Sequence, residues 1–500
     1  MKFLNKKLLT LQFLFTAGFF IPAQSEAAYY YQFNVTCQKA YYKFLALQLV
    51  EGRALLQQEK TAHPENLIPV YLENYADFFL LTCNEKQSEY DALIPNKEKR
   101  LTLLEQGDKS SPWYNYCLAE VNLQWAMVQV KFESFLSAVM CIKKGYSLLT
   151  ENQESFPAFT ANKKSLGVLH CMIGTVPDSY KWAASLLGFK GTIAQGIGEL
   201  EDVMTYSKSN SFLFHDESMM FYIFMLMHLK NEKEKAWNLT EQSDFPIENN
   251  LLSVFVKSDV AIKTGRTDVA IDLLKTRPSA TGFTFHFLDY LLGISKLDRL
   301  DEDANVYLEK FIKEFEGRNY LKDAIQKLAW YKFIHGDYDG YFSTLKLCET
   351  KGHDFVDSDK QAQKEFENHQ TPNLLLLKAR LLTDGGYYFN AISMLQGKST
   401  KDFAEQRDKI EFTYRAGRIY HEWGKPDEAI GFYIATIKNG EGYPYYFAAN
   451  AALELGLIYE KKNDKAQAKI YFQKALDMPK SDYATGINQQ AKAGLNRIGS

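Results

Sequence analysis

Cysteine and proline are scarce in this chain of 500 residues, which contains six cysteines and 13 prolines. The cysteines form no Cys-x-x-Cys pair, and their spacing matches neither a metal-binding motif nor a disulfide framework. We therefore expect them to be small buried hydrophobic side chains, with one incidental disulfide bridge as the alternative. The scarcity of proline favours long helices, because a proline inside a helix removes a backbone hydrogen bond.

The chain also lacks an excess of charge of either sign. It has 58 basic and 61 acidic residues, a formal net charge of −3, and 46% hydrophobic residues. This composition is typical of a globular protein. Binding to nucleic acid would require a basic face, and binding to an anionic membrane by charge would require basic clusters. We expect neither kind of partner.

The short motifs that bind nucleotides or activate a nucleophile are missing as well. Gly191 and Gly196 have the spacing of a phosphate-binding loop, but Ile197 stands where that loop needs its lysine. His421-Glu422 begins a zinc-type pattern that has no second histidine, and no Gly-x-Ser-x-Gly elbow occurs. The sequence therefore predicts no bound cofactor and no enzymatic activity.

Two clusters of reactive side chains favour structural interpretations. His170 and Cys171 are adjacent, and neighbouring helical residues point about 100° apart, which prevents a catalytic hydrogen bond between them. Asp354, Asp357 and Asp359 lie close together, but the glycine and the terminal glutamate of a calcium-binding loop are absent. We interpret the aspartates as a solvated loop between repeats and expect no metal site.

Residues 1–27 have the pattern of a secretory signal peptide. Lys2 and Lys6 lie in a positive segment, residues 8–21 form an apolar core, and Ala27 completes a small-residue cleavage site. The core is shorter than the ~20 residues that span a bilayer. We expect cleavage after Ala27, export to the periplasm or the medium, and no integral membrane segment in the mature protein. An uncleaved signal anchor is the alternative.

Two stretches, 410–443 and 449–482, repeat one another position by position. Small residues recur where two helices of a unit must cross closely, and aromatic residues recur where helix pairs stack. The matching positions are Gly417 and Gly456, Tyr420 and Tyr459, Ala429 and Ala468, and Tyr433 and Phe472. This series resembles the tetratricopeptide repeat, a helix–turn–helix unit of ~34 residues.

Weaker units of the same kind precede these two, and we count seven units from about residue 213 onward. Each unit buries its apolar faces only by stacking on its neighbours. The sequence thus predicts an all-α fold, a tetratricopeptide-like solenoid wound into a right-handed superhelix. We divide the chain into the signal peptide, an amino-terminal helical region at 28–203 and a repeat region at 204–500.

A second resemblance covers residues 166–203. Val176-Pro177 is followed by Gly188-Phe189-Lys190-Gly191 and then by a helix start at Gly196-Ile197. This order resembles the central segment of the family of inclusion-body clearance proteins and tetratricopeptide repeat protein 39. Val-Pro replaces the family's Leu-Pro, and Gly-Ile replaces its Gly-Leu. The resemblance implies a helical-repeat scaffold that acts as an adaptor.

Candidate binding residues follow from the repeat register, since fixed positions of the first helix of each unit line the groove of such solenoids. Arg380, Arg415 and Arg418 would form a cationic patch suited to a carboxylate, because arginine pairs with two oxygens at once. An ordinary solvated groove is the alternative. The full set of candidates is Arg380, Tyr414, Arg415, Arg418, His421, Asn450 and Glu454.

These observations predict an exported, non-enzymatic scaffold or adaptor that binds a protein or peptide partner in the cell envelope. One alternative is a glycan-binding surface protein of the starch-utilisation type, which would carry a lipid-anchoring cysteine and an exposed aromatic platform. That cysteine is missing, since Cys37 is the first cysteine of the chain. The other alternative is a helical-barrel enzyme, which needs paired carboxylates that converge on a cavity. No such pair stands out in the sequence.

Overall fold

The computed structural model describes residues 28–176, 185, 188–369, 371–480 and 483–499. Within these ranges the chain folds into α-helices joined by turns, and its two β-bridges, Tyr30 with Asn66 and Ala280 with Phe283, belong to no strand. The predicted all-α fold is therefore confirmed. The predicted signal peptide, residues 1–27, lies outside the described residues.

The amino-terminal part contains helices α1 to α9. They are α1 (Val35–Leu45), α2 (Leu49–Ala62), α3 (Ile68–Asn84), α4 (Gln87–Leu93), α5 (Pro95–Leu104), α6 (Pro112–Lys131), α7 (Phe135–Ser155), α8 (Ala161–Gly174) and α9 (Ile193–Ser209). Consecutive helices already pack in pairs here, α6 against α7 and α8 against α9. The predicted division at residues 203 and 204 falls within α9 and stays a prediction.

The rest of the chain contains helices α10 to α25, and a short π-helix, Leu226–Lys230, extends the first of them. They are α10 (His215–Met225), α11 (Lys233–Thr240), α12 (Leu251–Lys263), α13 (Thr267–Lys275), α14 (Phe287–Asp298), α15 (Ala304–Glu314), α16 (Leu321–Ile334), α17 (Tyr338–Leu345), α18 (Asp357–Asn368), α19 (Leu374–Asp384), α20 (Tyr388–Leu395), α21 (Gln406–Glu422), α22 (Pro426–Gly440), α23 (Tyr446–Lys461), α24 (Lys465–Asp477) and α25 (Ala484–Gly499).

Seven helix pairs follow one another between His215 and Asp477 in the described part of the chain, the number expected from the sequence. The pairs are α10 with α11, α12 with α13, α14 with α15, α16 with α17, α19 with α20, α21 with α22, and α23 with α24. Helix α18 is inserted between the fourth and fifth pairs, and α25 packs on the last one. The fold is a tetratricopeptide-like helix–turn–helix solenoid.

The predicted close crossing of the two helices within a unit is present in both clear repeats. A Cβ atom on Gly456 of α23 would overlap the ring of Phe472 on α24. A Cβ atom on Gly417 of α21 would lie 2.8 Å from Cδ1 of Tyr433 on α22. Glycine is therefore required at both crossings, because any side chain would push the aromatic ring out of the core.

Glycines also set the crossing of α8 and α9, within the segment that resembles the inclusion-body clearance family. A Cβ atom on Gly167 would lie 3.0 Å from the carbonyl oxygen of Gly196, and one on Gly196 would overlap the backbone of α8. The two helix backbones therefore touch at these residues. Residues 177–184, 186 and 187 of this segment lie outside the described residues.

The contacts of Asp359 correct the prediction of a solvated loop. Asp359 is fully buried in the first turn of α18. Its Oδ2 accepts a hydrogen bond of 2.6 Å from the Tyr320 backbone N–H, and its Oδ1 accepts one of 2.8 Å from that of Asp323. The carboxylate thus caps the amino terminus of α16, where a negative charge is stabilised by unpaired N–H groups. Asp354 and Asp357 remain exposed.

The cysteines and His170 are structural, as the sequence predicts. All six cysteines are buried, and none forms a disulfide bond. The Nδ1 atom of His170 on α8 lies 2.6 Å from Oε2 of Glu199 on α9, so this side chain ties the two helices together. This contact gives His170 a structural role in the packing of α8 on α9.

Helix pairs that are distant in sequence contact one another. Glu85, which follows α3, accepts a 2.7 Å hydrogen bond from Nδ2 of Asn319, just before α16. The Tyr387 hydroxyl before α20 donates a 2.8 Å hydrogen bond to Asp268 on α13. The stack of helices therefore curves so that early pairs meet later ones. In the part of the chain that the structure describes, no helix is long and apolar enough to cross a membrane.

Candidate functional site

The predicted binding residues lie together on three helices, α19, α21 and α23, each the first helix of its pair. Adjacent first helices pack on each other. We call the polar side chains on this surface the groove cluster. Its members are Arg380, Asp384, Arg407, Glu411, Tyr414, Arg415, Arg418, His421, Asn450 and Glu454.

Asp384 lies between two arginines at one end of the groove cluster. Its Oδ1 is 2.7 Å from Nη2 of Arg418, and its Oδ2 is 3.6 Å from Nε of Arg380. Burial alone would raise the pKa of Asp384, but the guanidinium groups of Arg418 and Arg380 outweigh it and hold the pKa below its ordinary value. All three side chains remain about 30% exposed. The carboxylate is therefore ionised at neutral pH and accessible from solvent.

Arg380 holds its guanidinium without a hydrogen bond at Nε. The group lies over the indole ring of Trp330, 4.8 Å from the ring centroid, a cation–π arrangement that orients it. Nε has no hydrogen-bond partner among the described residues, because the distance of 3.6 Å to Asp384 is too long for one. Nε itself is buried, while about 30% of the Arg380 side chain remains exposed to solvent.

Arg415 lies in the interior, which differs from the prediction that it lines an exposed patch. It is 3% exposed, and its Nε and Nη2 lie 3.0 Å and 2.7 Å from Oε1 of Glu411, one turn earlier on α21. The ring of Phe447 on α23 covers it at 5.8 Å. Arg415 lies on the side of α21 that faces α23, but Phe447 and the Glu411 carboxylate occupy its guanidinium.

Tyr414 and Asn450 join α21 to α23. The Nδ2 atom of Asn450 donates a 2.8 Å hydrogen bond to the Tyr414 hydroxyl. The Tyr414 ring makes an edge-on contact with Tyr446, with centroids 5.7 Å apart. Tyr414 is only 5% exposed. Both residues therefore hold the helices in register, and Tyr414 offers little surface to a partner.

His421 and Glu454 form the other end of the groove cluster. The Nδ1 atom of His421 is 3.4 Å from Oε2 of Glu454, and both side chains are somewhat under one-third exposed. Burial, together with the nearby charge of Glu422, raises the pKa of Glu454 to about 7. Burial lowers the pKa of His421 below its ordinary value. At neutral pH His421 is therefore mostly neutral and Glu454 is only partly ionised.

The charges of the groove cluster favour an anionic ligand. Four arginines face Asp384 and Glu411, while Glu454 is only partly ionised near pH 7. The sequence reasoning missed Arg407 and the supporting Trp330. Arg407, Glu411 and Arg415 are spaced four residues apart, a pattern that indicates ion pairs along one helix face. No sequence pattern indicates Trp330, because it lies on α16 and contacts Arg380 only where helix pairs stack on each other.

The described residues contain no group of three or more histidine, cysteine, aspartate or glutamate side chains that could hold a metal ion.

Comparison with known proteins identifies one repeat in the chain. The tetratricopeptide repeat model matches residues 449–482. These residues span α23 and α24, where the sequence predicts the second clear unit, and Ser481 and Asp482 lie outside the described residues. No curated protein sequence matches the chain.

Several solved structures of other proteins superpose on most of the chain, each with 13% sequence identity. The APC/C heterotetramer Cut9–Hcn1 covers 92% of this chain and 88% of its own chain, with a TM-score of 0.29. Yeast Tom70 covers 90% and 96%, with a TM-score of 0.22. Naa15/Naa10 bound to HypK-THB covers 92% and 77%, with a TM-score of 0.19. These scores are low, so the fold assignment rests on the helix pairs and the matched repeat.

Proposed function

We propose that this protein is an exported, non-enzymatic scaffold that docks a carboxylate-bearing segment of a partner protein on the groove cluster. The observation that carries the proposal is Arg380, which Trp330 holds in place and whose side chain remains about 30% exposed beside that of Arg418. Helix-repeat stacks of this kind offer an extended surface for partners. The tetratricopeptide repeat at residues 449–482 supports the same general function.

The geometry suits a carboxylate of the partner better than a phosphate-rich ligand. Arg380 and Arg418 flank a single carboxylate, Asp384, so the exposed end of the cluster has one net positive charge. A single acidic side chain or a chain terminus would balance that charge. Arginine is well suited to this contact because its planar fork can donate two parallel hydrogen bonds.

Export is the second part of the proposal. It rests on the positive segment with Lys2 and Lys6, the apolar core at 8–21 and the small-residue site at Ala27. Cleavage there leaves a mature chain that begins at Ala28 and meets its partner in the cell envelope. Amino-terminal sequencing of the protein from the periplasm or the medium checks this. An intact Met1 in a carbonate-resistant membrane fraction would contradict it.

A relationship to the family of inclusion-body clearance proteins and tetratricopeptide repeat protein 39 is also part of the proposal. Gly167 and Gly196 of the matching segment have the same structural role, because they let the backbones of α8 and α9 come into contact. That family consists of helical-repeat scaffolds, so the relationship supports an adaptor rather than an enzyme.

One observation bears on the enzyme alternative, because two carboxylates do converge on a cavity. Glu120 on α6 and Glu217 on α10 both approach the ammonium group of Lys164 on α8, at 3.3 Å and 2.8 Å. Lys164 lies between them and bonds to both, and Glu217 accepts further hydrogen bonds from Tyr41 and Tyr75. The cavity beside these groups is lined mainly by apolar side chains, so we favour binding over catalysis at this site.

Affinity purification from the envelope fraction tests the proposal with two matched variants. Arg380→Gln removes the open guanidinium and leaves Asp384 paired with Arg418. Arg53→Gln removes a distant arginine and leaves Asp77 paired with Arg100 at 2.6 Å. We expect the Arg380 variant to lose partner proteins that the wild type and the Arg53 variant retain. Equal recovery of the same partners by all three proteins would refute docking at the groove cluster.

A further inference from the structure

A cavity of about 380 Å³ lies among α6, α7 and α8, far along the chain from the groove cluster. Its walls are almost entirely apolar, and they include Met127, Val139, Ile142, Val168, Leu169 and Phe221. The volume falls in the range of ~300–1,000 Å³ that is typical of sites for small molecules. Met127 and Met172 also line the cavity and are each more than 40% exposed to solvent.

The floor of the cavity is charged. Lys164 lines it and is 1% exposed, with its Nζ 2.8 Å from Oε2 of Glu217 and 3.3 Å from Oε2 of Glu120. Ser165, the next residue on α8, donates a hydrogen bond to the other oxygen of Glu120. Four polar side chains are therefore grouped at one point of an otherwise apolar wall. Such a group at the base of an apolar cavity is the arrangement that orients a bound molecule.

The two carboxylates of the floor differ in how well they are compensated. Glu217 accepts hydrogen bonds from Lys164 and from the hydroxyls of Tyr41 and Tyr75, the latter two at 3.1 Å. Among the residues that the structure describes, Glu120 accepts hydrogen bonds only from Lys164 and Ser165. Burial raises the pKa of Glu120, which Lys164 only partly offsets. One ammonium group thus faces two carboxylates, and Glu120 is the one whose ionised form a further cationic group would stabilise.

We propose that this cavity binds an amphiphile with a single apolar chain and a cationic amine, the chain lying along the apolar walls and the amine contacting Glu120. An amine supplies the positive charge that the floor lacks, together with hydrogen bonds to a buried carboxylate. A ligand carboxylate would add a third negative charge beside a single ammonium group, which opposes binding. An alcohol of the same length can donate a hydrogen bond but leaves the charge uncompensated.

This site goes beyond the proposed scaffold function, because it lies on other helices and takes a small molecule. Titration calorimetry at neutral pH with the purified protein tests it, using n-decylamine, n-decanol and n-decanoate below their aggregation concentrations. The three probes share one chain length and differ in headgroup. We expect n-decylamine to bind about tenfold more tightly than n-decanol, because one hydrogen bond to a charged group contributes roughly that factor to affinity. Decanoate is expected to bind most weakly.

Two variants and one control separate the contribution of the charge from that of the walls. Glu120→Gln keeps the shape of the floor and leaves Lys164 paired with Glu217, so n-decylamine should bind only as well as n-decanol. Val168→Phe fills the cavity one helical turn above Lys164 and should abolish binding of all three probes. Val306→Phe enlarges an exposed valine on α15 and should bind as the wild type does.

The proposal is overturned if no probe binds the wild type, or if n-decanoate binds as tightly as n-decylamine. Unchanged binding by Val168→Phe would also overturn it, because the ligand would then lie elsewhere on the protein. Circular dichroism of each variant checks the fold, and the Val168 variant tests the site independently should Glu120→Gln fail to fold.

Discussion

The Nη2 atom of Arg418 on α21 lies 2.7 Å from Oδ1 of Asp384 on α19, which joins the first helices of two neighbouring pairs. This ion pair leaves Arg380, one turn before Asp384, with its Nε 3.6 Å from the other carboxylate oxygen and without a hydrogen bond. The contact between pairs therefore has two effects. It stabilises the stacking, and it leaves the side chain of Arg380 about 30% exposed beside the pair.

Arg415→Ala should destabilise the protein rather than act selectively on binding. Arg415 and Glu411 are both at most 5% exposed, and Arg415 supplies the two shortest contacts to that carboxylate. Removing one partner of a buried ion pair typically costs ~3–5 kcal/mol. We expect about 3 kcal/mol in the free energy of unfolding, because Arg407 remains 3.4 Å from Glu411. Denaturant unfolding measures it.

A second variant shows whether the loss comes from the uncompensated charge. Glu411→Gln in the Arg415→Ala background should recover part of the lost stability, since a neutral amide needs no cationic partner. If Arg415→Ala is as stable as the wild type, Arg415 does not compensate a buried charge.

Gly456→Leu should loosen the last repeats of the stack. The added side chain would occupy the space of the Phe472 ring at the crossing of α23 and α24. Overpacking of this kind typically costs ~1–3 kcal/mol. Because each repeat contacts chiefly its neighbours, hydrogen exchange should accelerate mainly from α21 to α25.

Gly431→Leu is the matched control for that variant. Gly431 lies on α22, and a Cβ atom there would meet nothing within 4 Å. This substitution should be neutral or stabilising by up to ~0.8 kcal/mol, since glycine is a poor helix former. Equal exchange rates in the two variants would mean that the crossing is not closely packed.

Glu454→Gln should change how stability depends on pH. The pKa of Glu454 is raised from 4.5 in an unfolded chain to about 7 in the folded protein. Between these pH values the folded state keeps a proton that the unfolded state has released. The contribution of Glu454 to the free energy of unfolding therefore falls as the pH rises. It is fully present below pH 4.5 and lost above about pH 7.

The variant cannot titrate at this position, so it lacks that decline. Its stability relative to the wild type should rise by on the order of 2 kcal/mol as the pH increases through this window. Denaturant unfolding of both proteins across the pH range measures the difference, in which the titration of most other groups cancels. A difference that stays constant with pH would show that Glu454 has an ordinary pKa.

The sequence predicted the helix pairs well because their signals are local. Small and aromatic residues at fixed offsets marked the crossings at Gly417 and Gly456, and the seven pairs follow the same periodicity. The positions of the candidate site on α19, α21 and α23 also followed from the repeat register. These features depend only on residues within one unit or in adjacent units. A repeating sequence pattern therefore predicts them.

The partners of charged side chains could not be predicted in the same way. Asp359 caps a helix whose N–H groups lie 36 and 39 residues earlier in the chain. Glu120, Lys164 and Glu217 belong to three different helices, and their meeting at the cavity depends on how α6, α8 and α10 pack. From its position in the repeat, Arg415 was predicted to line a cationic patch in the groove. Its side chain is buried instead, because Phe447 of the next helix pair covers it.

Docking at the groove cluster is tested most directly by a double-mutant cycle between Arg380 and the acidic residues of a captured partner segment. Peptides of that segment are synthesised with each carboxylate intact or replaced by its amide, and their dissociation constants are measured with wild-type protein and Arg380→Gln. We expect one carboxylate to show a coupling energy of ~1–3 kcal/mol with Arg380, the range for hydrogen bonds to charged groups. Coupling energies near zero for every carboxylate of the segment would contradict docking on Arg380.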